Sequence, residues 1–390
     1  MRTRGNRRSL FVLTAAALAS LATCTPAAVH AAVTALPAPA PTSAAKANVC
    51  PRVGMATLAP VALAGVTAIS SRDAWAVGWT SGGAPRPVLA HWNGSSWATV
   101  SSPALQTPAK LLAVAKFPGG VWAVGASGQA TGGQHRTHLI LRVTAGKVQA
   151  VPTPRPLGGK LEGVTATSAA NAWAVGYISG GGPLILHWNG TAWKRSPLPS
   201  HARGRIDGVA AISATNAWAI DGRNRTNSQL WHWNGTRWSR VATPAIKGQT
   251  EFLGGVTATS AKNAWAAGTS FVPTTVTIRT VILHWNGVRW RRTPSPNPPT
   301  IDGDGLFAVS ASSADDAWAV GTNTAGPSLT EHWNGTSWRA VPAPGCAALA
   351  DVSVLPSGTA WAVGSFGNQK PVILRWNGTA WHSAPLTIGS

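Results

Sequence analysis

One stretch is written out repeatedly along the chain, and it limits the possible folds more than any other feature. Its cleanest copy reads Gly-Val-Thr-Ala-Thr-Ser-Ala-Ala-Asn-Ala-Trp-Ala-Val-Gly from Gly163 to Gly176. After a variable insert it continues Ile-Leu-His-Trp-Asn-Gly-Thr-Ala-Trp from Ile185 to Trp193. The Trp-Ala tryptophan recurs at Trp75, Trp122, Trp173, Trp218, Trp265, Trp318 and Trp361, which makes seven copies at intervals of 43 to 53 residues. The second half returns with His91, His187, His232, His284 and His332, and once with Arg375 in the histidine's place. Its closing tryptophans are Trp97, Trp193, Trp238, Trp290, Trp338 and Trp381. Copy two departs, with Arg142, Val143 and Val148 at these stations.

Each copy reads as four short strands, A to D. Gly-Val-Thr-Ala-Thr is rich in β-branched residues and ends in a Ser-Ala-Ala-Asn turn, giving strand A. Ala-Trp-Ala-Val-Gly gives strand B, the Ile-Leu-His-Trp segment strand C, and the residues from the closing tryptophan strand D. Asn-Gly between C and D predicts a two-residue type I′ hairpin, in which both central residues need φ > 0. Prolines such as Pro197 and Pro199 stop the ladder. No segment shows an apolar 3.6-residue period over a helical length, which excludes a helical solenoid. Four antiparallel strands at this period predict an all-β, seven-bladed β-propeller. The blades span approximately 60–104, 105–154, 155–199, 200–244, 245–296, 297–344 and 345–390. Tryptophan faces, each burying on the order of 200 Å², are expected to pack blade against blade. All seven copies contain A to D, so no strand exchange between the termini is expected.

The region ahead of the repeats has a different composition. Residues 1–31 carry Arg2, Arg4, Arg7 and Arg8, an apolar run from Leu10 to Ala22, and small residues around Ala31. That pattern predicts a cleaved export signal and a secreted, extracellular protein. The run is shorter than the roughly 20 residues a membrane span needs, so no span is expected. Both the general and the twin-arginine export routes stay open, as does lipid attachment at Cys24. Residues 32–59 form an Ala/Pro-rich linker and latch segment with little to bury. In an exported chain, Cys50 and Cys346 suggest a disulfide. Both precede a strand A, in blades 1 and 7, so the bridge would latch the ring. Chain entropy for so long a loop gives roughly 5 kcal/mol.

The formal net charge is +21. Such an excess attracts anionic surfaces, including wall polymers and acidic polysaccharide. Many of the cations (Lys194, Arg195, Arg240, Arg291, Arg292, Arg339) closely follow a closing tryptophan. On an edge strand they would equally discourage edge-to-edge aggregation. The five motif histidines cannot converge on a metal, because a ring spreads equivalent positions around its circumference. They are expected to bond the neighbouring turn, and no metal or cofactor is predicted. Asn-Gly-Ser/Thr also matches the glycosylation sequon at Asn93, Asn189, Asn234, Asn334 and Asn377, but turn chemistry accounts for those residues.

Turns A–B and C–D carry the recurring residues, so that face is committed to structure. Loops B–C and D–A open on the other face and differ in every copy, and such loops are where sites are usually built. Candidate ligand-binding residues there are Trp79, Tyr177, Arg223, Arg225, Arg279 and Lys370. For catalysis, Glu162 and Asp207, at the entry to strand A in adjacent blades, are the best carboxylate pair near the channel mouth. Nearby arginines would explain them equally well.

The stretches from Asp73 to Gly78 and from Leu283 to Gly287, with Trp290, make the sequence resemble secreted bacterial propellers of the sialidase-like, Asp-box-like (BNR) class. The resemblance spans residues 60–390 and implies the propeller architecture. An Asp-box carries aspartate where this chain has asparagine. Tyr177 is the single candidate for a sialidase tyrosine, yet nothing matches the arginine triad, so no catalytic residue is carried over. Propellers host lectins, lyases, hydrolases and scaffolds alike. The expected function is a monomeric binding or scaffold module for carbohydrate or an anionic cell-surface polymer, with no specific nucleic-acid partner. A polysaccharide lyase or glycoside hydrolase and a protein-interaction platform are the alternatives.

Overall fold

The computed structural model describes residues 60–388 except 82, 129–136, 155–157, 200–201, 223–226, 245, 276, 298–302, 324–327 and 368–369. The export segment, the linker and Cys50 therefore lie outside the described residues.

Seven antiparallel sheets follow one another in the order the repeats predict. Blade 3 is representative, with strands A (Gly159–Ser168), B (Asn171–Ile178), C (Gly182–Trp188) and D (Trp193–Arg195) hydrogen-bonded in that order. The seven A strands contact each other in a closed cycle, and that of blade 7 (Ala348–Val354) meets that of blade 1 (Val61–Ser70). Strand A is thus innermost and strand D outermost. Inner strands crowd where the ring is narrow. At Gly255 a Cβ would come within 2.8 Å of the Ala308 backbone, so the approach of blades 5 and 6 requires glycine there.

Tryptophan joins the blades in a repeated arrangement. The strand B indole of one blade inserts between the strand C and strand D indoles of the next. Trp173 lies 5.2 Å from Trp233 and 5.3 Å from Trp238, the latter edge-on. The same trio forms at six junctions, including the closing one, where Trp361 of blade 7 meets Trp92 and Trp97 of blade 1. The exception follows from the sequence: blade 2 has Val143 and Val148 there, and Trp75 packs with them instead. Leu105, on a short 3-10 turn (Pro103–Leu105), helps fill the space.

Two expectations need correction. The C–D connection is not a two-residue turn. Trp188 pairs with Trp193, leaving a four-residue loop in which Gly190 has φ 96° while Asn189 stays at negative φ. The Asn189 Oδ1 accepts from the backbone N–H groups of Thr191 and Ala192 and from the Thr191 hydroxyl. A side-chain-capped turn of this kind is what asparagine offers besides positive φ. Among the described residues, the two-residue hairpin with both residues at positive φ occurs once, at Ala145-Gly146 in blade 2, the copy without Asn-Gly. The second correction concerns the termini. No strand is exchanged, but Leu386–Thr387 adds a fifth, parallel strand to the outer edge of blade 1, beside Trp97 and Ala98.

Candidate functional site

The repeated motif is fully engaged in structure. In blade 3, Trp173 and His187 are cross-strand partners and stack at 4.1 Å. The His187 Nε2 lies 2.7 Å from the Asn171 Oδ1 in the A–B turn, and the Trp188 indole N–H donates to the Ala169 carbonyl of the same turn. His91, His232, His284 and His332 make the matching bond to Asp73, Asn216, Asn263 and Asp316. Burial lowers the pKa of His187, His232 and His284, as expected of neutral rings in that setting. Where copies two and seven substitute arginine, Arg142 and Arg375 lie over Trp122 and Trp361 at 5.3 and 5.4 Å, so a cation–π contact replaces the stack. Among the described residues no group of three His, Cys, Asp or Glu could hold a metal ion.

What varies is the other face. In every blade, strand A has a bulge opposite strand B, and the skipped residues are Ala64, Leu112, Glu162, Asp207, Gly254, Phe307 and Ala350. Two residues earlier stand Ala62, Lys110, Lys160, Arg205, Phe252, Gly305 and Ala348. The channel-lining strands are therefore unlike around the ring. Blades 2 to 4 supply Lys110, Lys160 and Arg205 with Glu162 and Asp207; blades 5 to 7 and 1 supply phenylalanine, glycine and alanine.

The charged arc is internally bonded. Glu162 Oε1 lies 3.2 Å from Lys160 Nζ and 3.9 Å from Arg205 across the blade boundary, while Arg205 Nε lies 2.7 Å from Asp207 Oδ1. The predicted carboxylate pair is thus brought together through one guanidinium, each carboxylate facing a cation. Asp221, which ends strand B of blade 4 (Asn216–Asp221), is 3% exposed. Burial first, then the charge of Asp207, pushes its pKa up to about 7.

Of the two aromatic candidates, Trp79 stands at the blade 1 side of this arc and Tyr177 within it. Trp79 is half-buried at the end of strand B in blade 1 (Asp73–Thr80), with the Lys110 ammonium 4.6 Å from its ring centroid. Tyr177 holds the same station in blade 3, and its carbonyl lies 3.1 Å from the His138 Nε2. Arg279 and Lys370 belong to blades 5 and 7, away from both: Arg279 is exposed opposite Ser270, and Lys370 opens strand C (Lys370–Trp376) opposite Phe366. Arg223 and Arg225 lie outside the described residues. Cys346 is disulfide-bonded, and the other cysteines, Cys24 and Cys50, are outside the described residues. Sequence reasoning missed Lys110, Lys160 and Arg205; aligning the copies on the strand A bulge would have put all three in one column.

No family model matches the chain, and no curated protein matches it. Solved structures are similar in fold. YCF48 bound to D1 peptide superposes with a TM-score of 0.53 at 14% identity, covering 84% of this chain and 99% of that one. YCF48 from Cyanidioschyzon merolae gives 0.56 at 16%, covering 82% and 96%. A GH74 xyloglucanase from Xanthomonas campestris gives 0.58 at 12%, covering 83% of this chain and 54% of that one. At these identities the likeness speaks for the propeller fold alone. No helix among the described residues is long and apolar enough to cross a membrane.

Proposed function

We propose that the chain is an exported, monomeric binding module that holds carbohydrate on its variable-loop face, at blades 1 to 4. The observation that carries this reading is the unequal channel mouth. Half-buried Trp79 lies under the Lys110 ammonium and half-buried Tyr177 pairs across the ladder with Lys160, while the repeated residues are consumed by the frame. Indole and phenol faces suit the C–H faces of a sugar ring. The similar structures, one a xyloglucanase and one a complex with a peptide, are compatible with polymer binding by this fold. The test is a screen of glycans and wall polymers at low and high salt, with wild type and a Trp79→Ala/Tyr177→Ala double variant. Stacking contacts should bind a glycan with little response to salt, and the double variant should lose that binding without a change in melting temperature. Full binding by the double variant, or no glycan bound at all, would defeat the reading.

One observation favours a second reading, a glycoside hydrolase or polysaccharide lyase. Asp221 and Asp207 form a carboxylate pair in unlike settings: burial and the charge of Asp207 raise the pKa of Asp221, while Asp207 is ion-paired to Arg205. Unlike settings of this kind separate an acid from a base. Turnover of any bound glycan by wild type, lost in Asp221→Asn, would establish it.

A further inference from the structure

The charges of this chain are sorted by place as well as by number. Asp221, Glu251, Asp304 and Glu331 are buried, and Asp351 is occupied by the N–H groups of Val66 and Val352. Glu162 and Asp207 face Lys160 and Arg205, while Asp73 and Asp316 are bonded to His91 and His332. Cations, in contrast, line the outside. Lys194, Arg195, Arg237, Arg240, Arg289, Arg291 and Arg339 are all exposed, and all lie on strand D or the C–D loop of blades 3 to 6, four consecutive blades. Those strands and loops contain no Asp or Glu. Among the described residues the one exposed carboxylate is Asp315, which lies against Gly335 in the C–D loop of blade 6.

Protection of unpaired edges does not account for this number. The outer edge of blade 7 (Trp381–Ser383) has neither Lys nor Arg, and that of blade 2 (Lys147–Ala150) has one lysine. Blade 1, whose edge is covered by Leu386–Thr387, has none in Trp97–Thr99. Seven exposed cations on four edges and their C–D loops, against one on the edges and loops of blades 7, 1 and 2, is an excess confined to one side of the ring.

We propose that this rim, across blades 3 to 6, is a docking belt for a linear polysaccharide bearing carboxylates. The cations do not converge on a cavity, so they fit an extended polyanion and not a small anion. Six of the seven are arginine, whose planar fork matches a carboxylate in bidentate fashion. The strand D tryptophans, Trp193, Trp238, Trp290 and Trp338, are buried, so the edge strands that carry most of these cations present no exposed ring on which nucleic-acid bases could stack. The inference does not rest on the glycan reading of the variable-loop face.

The test measures binding of polygalacturonate to the full chain across a salt series, with duplex DNA and neutral dextran as competitors. The rim variant is Lys194→Gln/Arg237→Gln/Arg289→Gln/Arg291→Gln/Arg339→Gln. A charge-matched control away from strand D and the C–D loops of blades 3 to 6 is Arg72→Gln/Arg86→Gln/Lys147→Gln/Arg203→Gln/Lys247→Gln, also at exposed positions. The belt predicts affinity falling steeply with salt, a loss of roughly tenfold or more in the rim variant, and a much smaller loss in the control. Equal losses would show that net charge alone is sensed and would overturn the belt, as would tighter binding of duplex DNA than of polygalacturonate. If the Trp79→Ala/Tyr177→Ala variant loses polygalacturonate and the rim variant keeps it, the belt fails while the face reading survives.

Discussion

Replacing Trp361 by alanine tests how the ring is closed. The side chain is fully buried, lies 5.0 and 5.1 Å from Trp92 and Trp97, and has the Arg375 guanidinium 5.4 Å from its ring. Truncating a buried tryptophan costs about 3–5 kcal/mol. The control is Trp75→Ala at the same station of blade 1, where the next blade presents Val143 and Val148 in place of indoles. Each aromatic pair adds about 0.5–1.5 kcal/mol beyond area. Two pairs lost at Trp361 and none across the junction at Trp75 predict a difference of about 1–3 kcal/mol between the variants. Urea unfolding, followed by tryptophan fluorescence and far-UV circular dichroism, measures both costs, and the Trp361 variant should also be cleaved first by protease within the terminal blades 1 and 7. Equal costs, or a larger cost at Trp75, would refute the argument that the indole trio closes the ring.

Deleting residues 384–390 removes the parallel strand and the packing of Leu386 and Ile388 on the cluster containing Trp92 and Trp97. The edge Trp97–Thr99, which carries no cation, should then self-associate, read as concentration-dependent light scattering absent from the full chain. Non-reducing peptide mapping should recover Cys346 joined to Cys50; a Cys24–Cys346 peptide would contradict the proposed latch. The pH dependence follows from Asp221 and Asp351, both pushed to about 7, and Glu331, pushed to about 8, burial being the first cause in each. A folded pKa above the unfolded one means that the fold favours the neutral acid, so its stabilising effect is lost as pH rises through the folded value. His187, His232 and His284, lowered by burial, act in the opposite direction only below their ordinary value near 6.5. The urea midpoint should therefore fall between about pH 6.5 and 8.5, and Asp351→Asn should flatten that fall. A midpoint that rises over the window would contradict the assignment.

The blade count and strand order were legible because each repeated residue has one structural task. Trp173 must enter the next blade, His187 must cover it, and Asn171 must receive the histidine. The Asn-Gly turn was misread because asparagine serves two turn geometries, and the choice depends on whether Trp188 pairs across a four-residue loop. The C-terminal strand is two residues long and carries no pattern of its own. The charged arc was half visible. Glu162 and Asp207 stood out as rare carboxylates, but the bulge that sets Lys110, Lys160 and Arg205 at one station is a matter of register, which a single strand's sequence does not specify.

The central claim is that the repeated residues build the frame and the varied face carries recognition. It is tested most directly by measuring melting temperature and affinity together, for the best glycan of the screen, in His187→Ala and Trp79→Ala. His187→Ala breaks the stack on Trp173 and the bond to Asn171, so it should lower the melting temperature and leave affinity unchanged. Trp79→Ala should do the reverse. Affinity abolished by His187→Ala at an unchanged melting temperature would contradict the account.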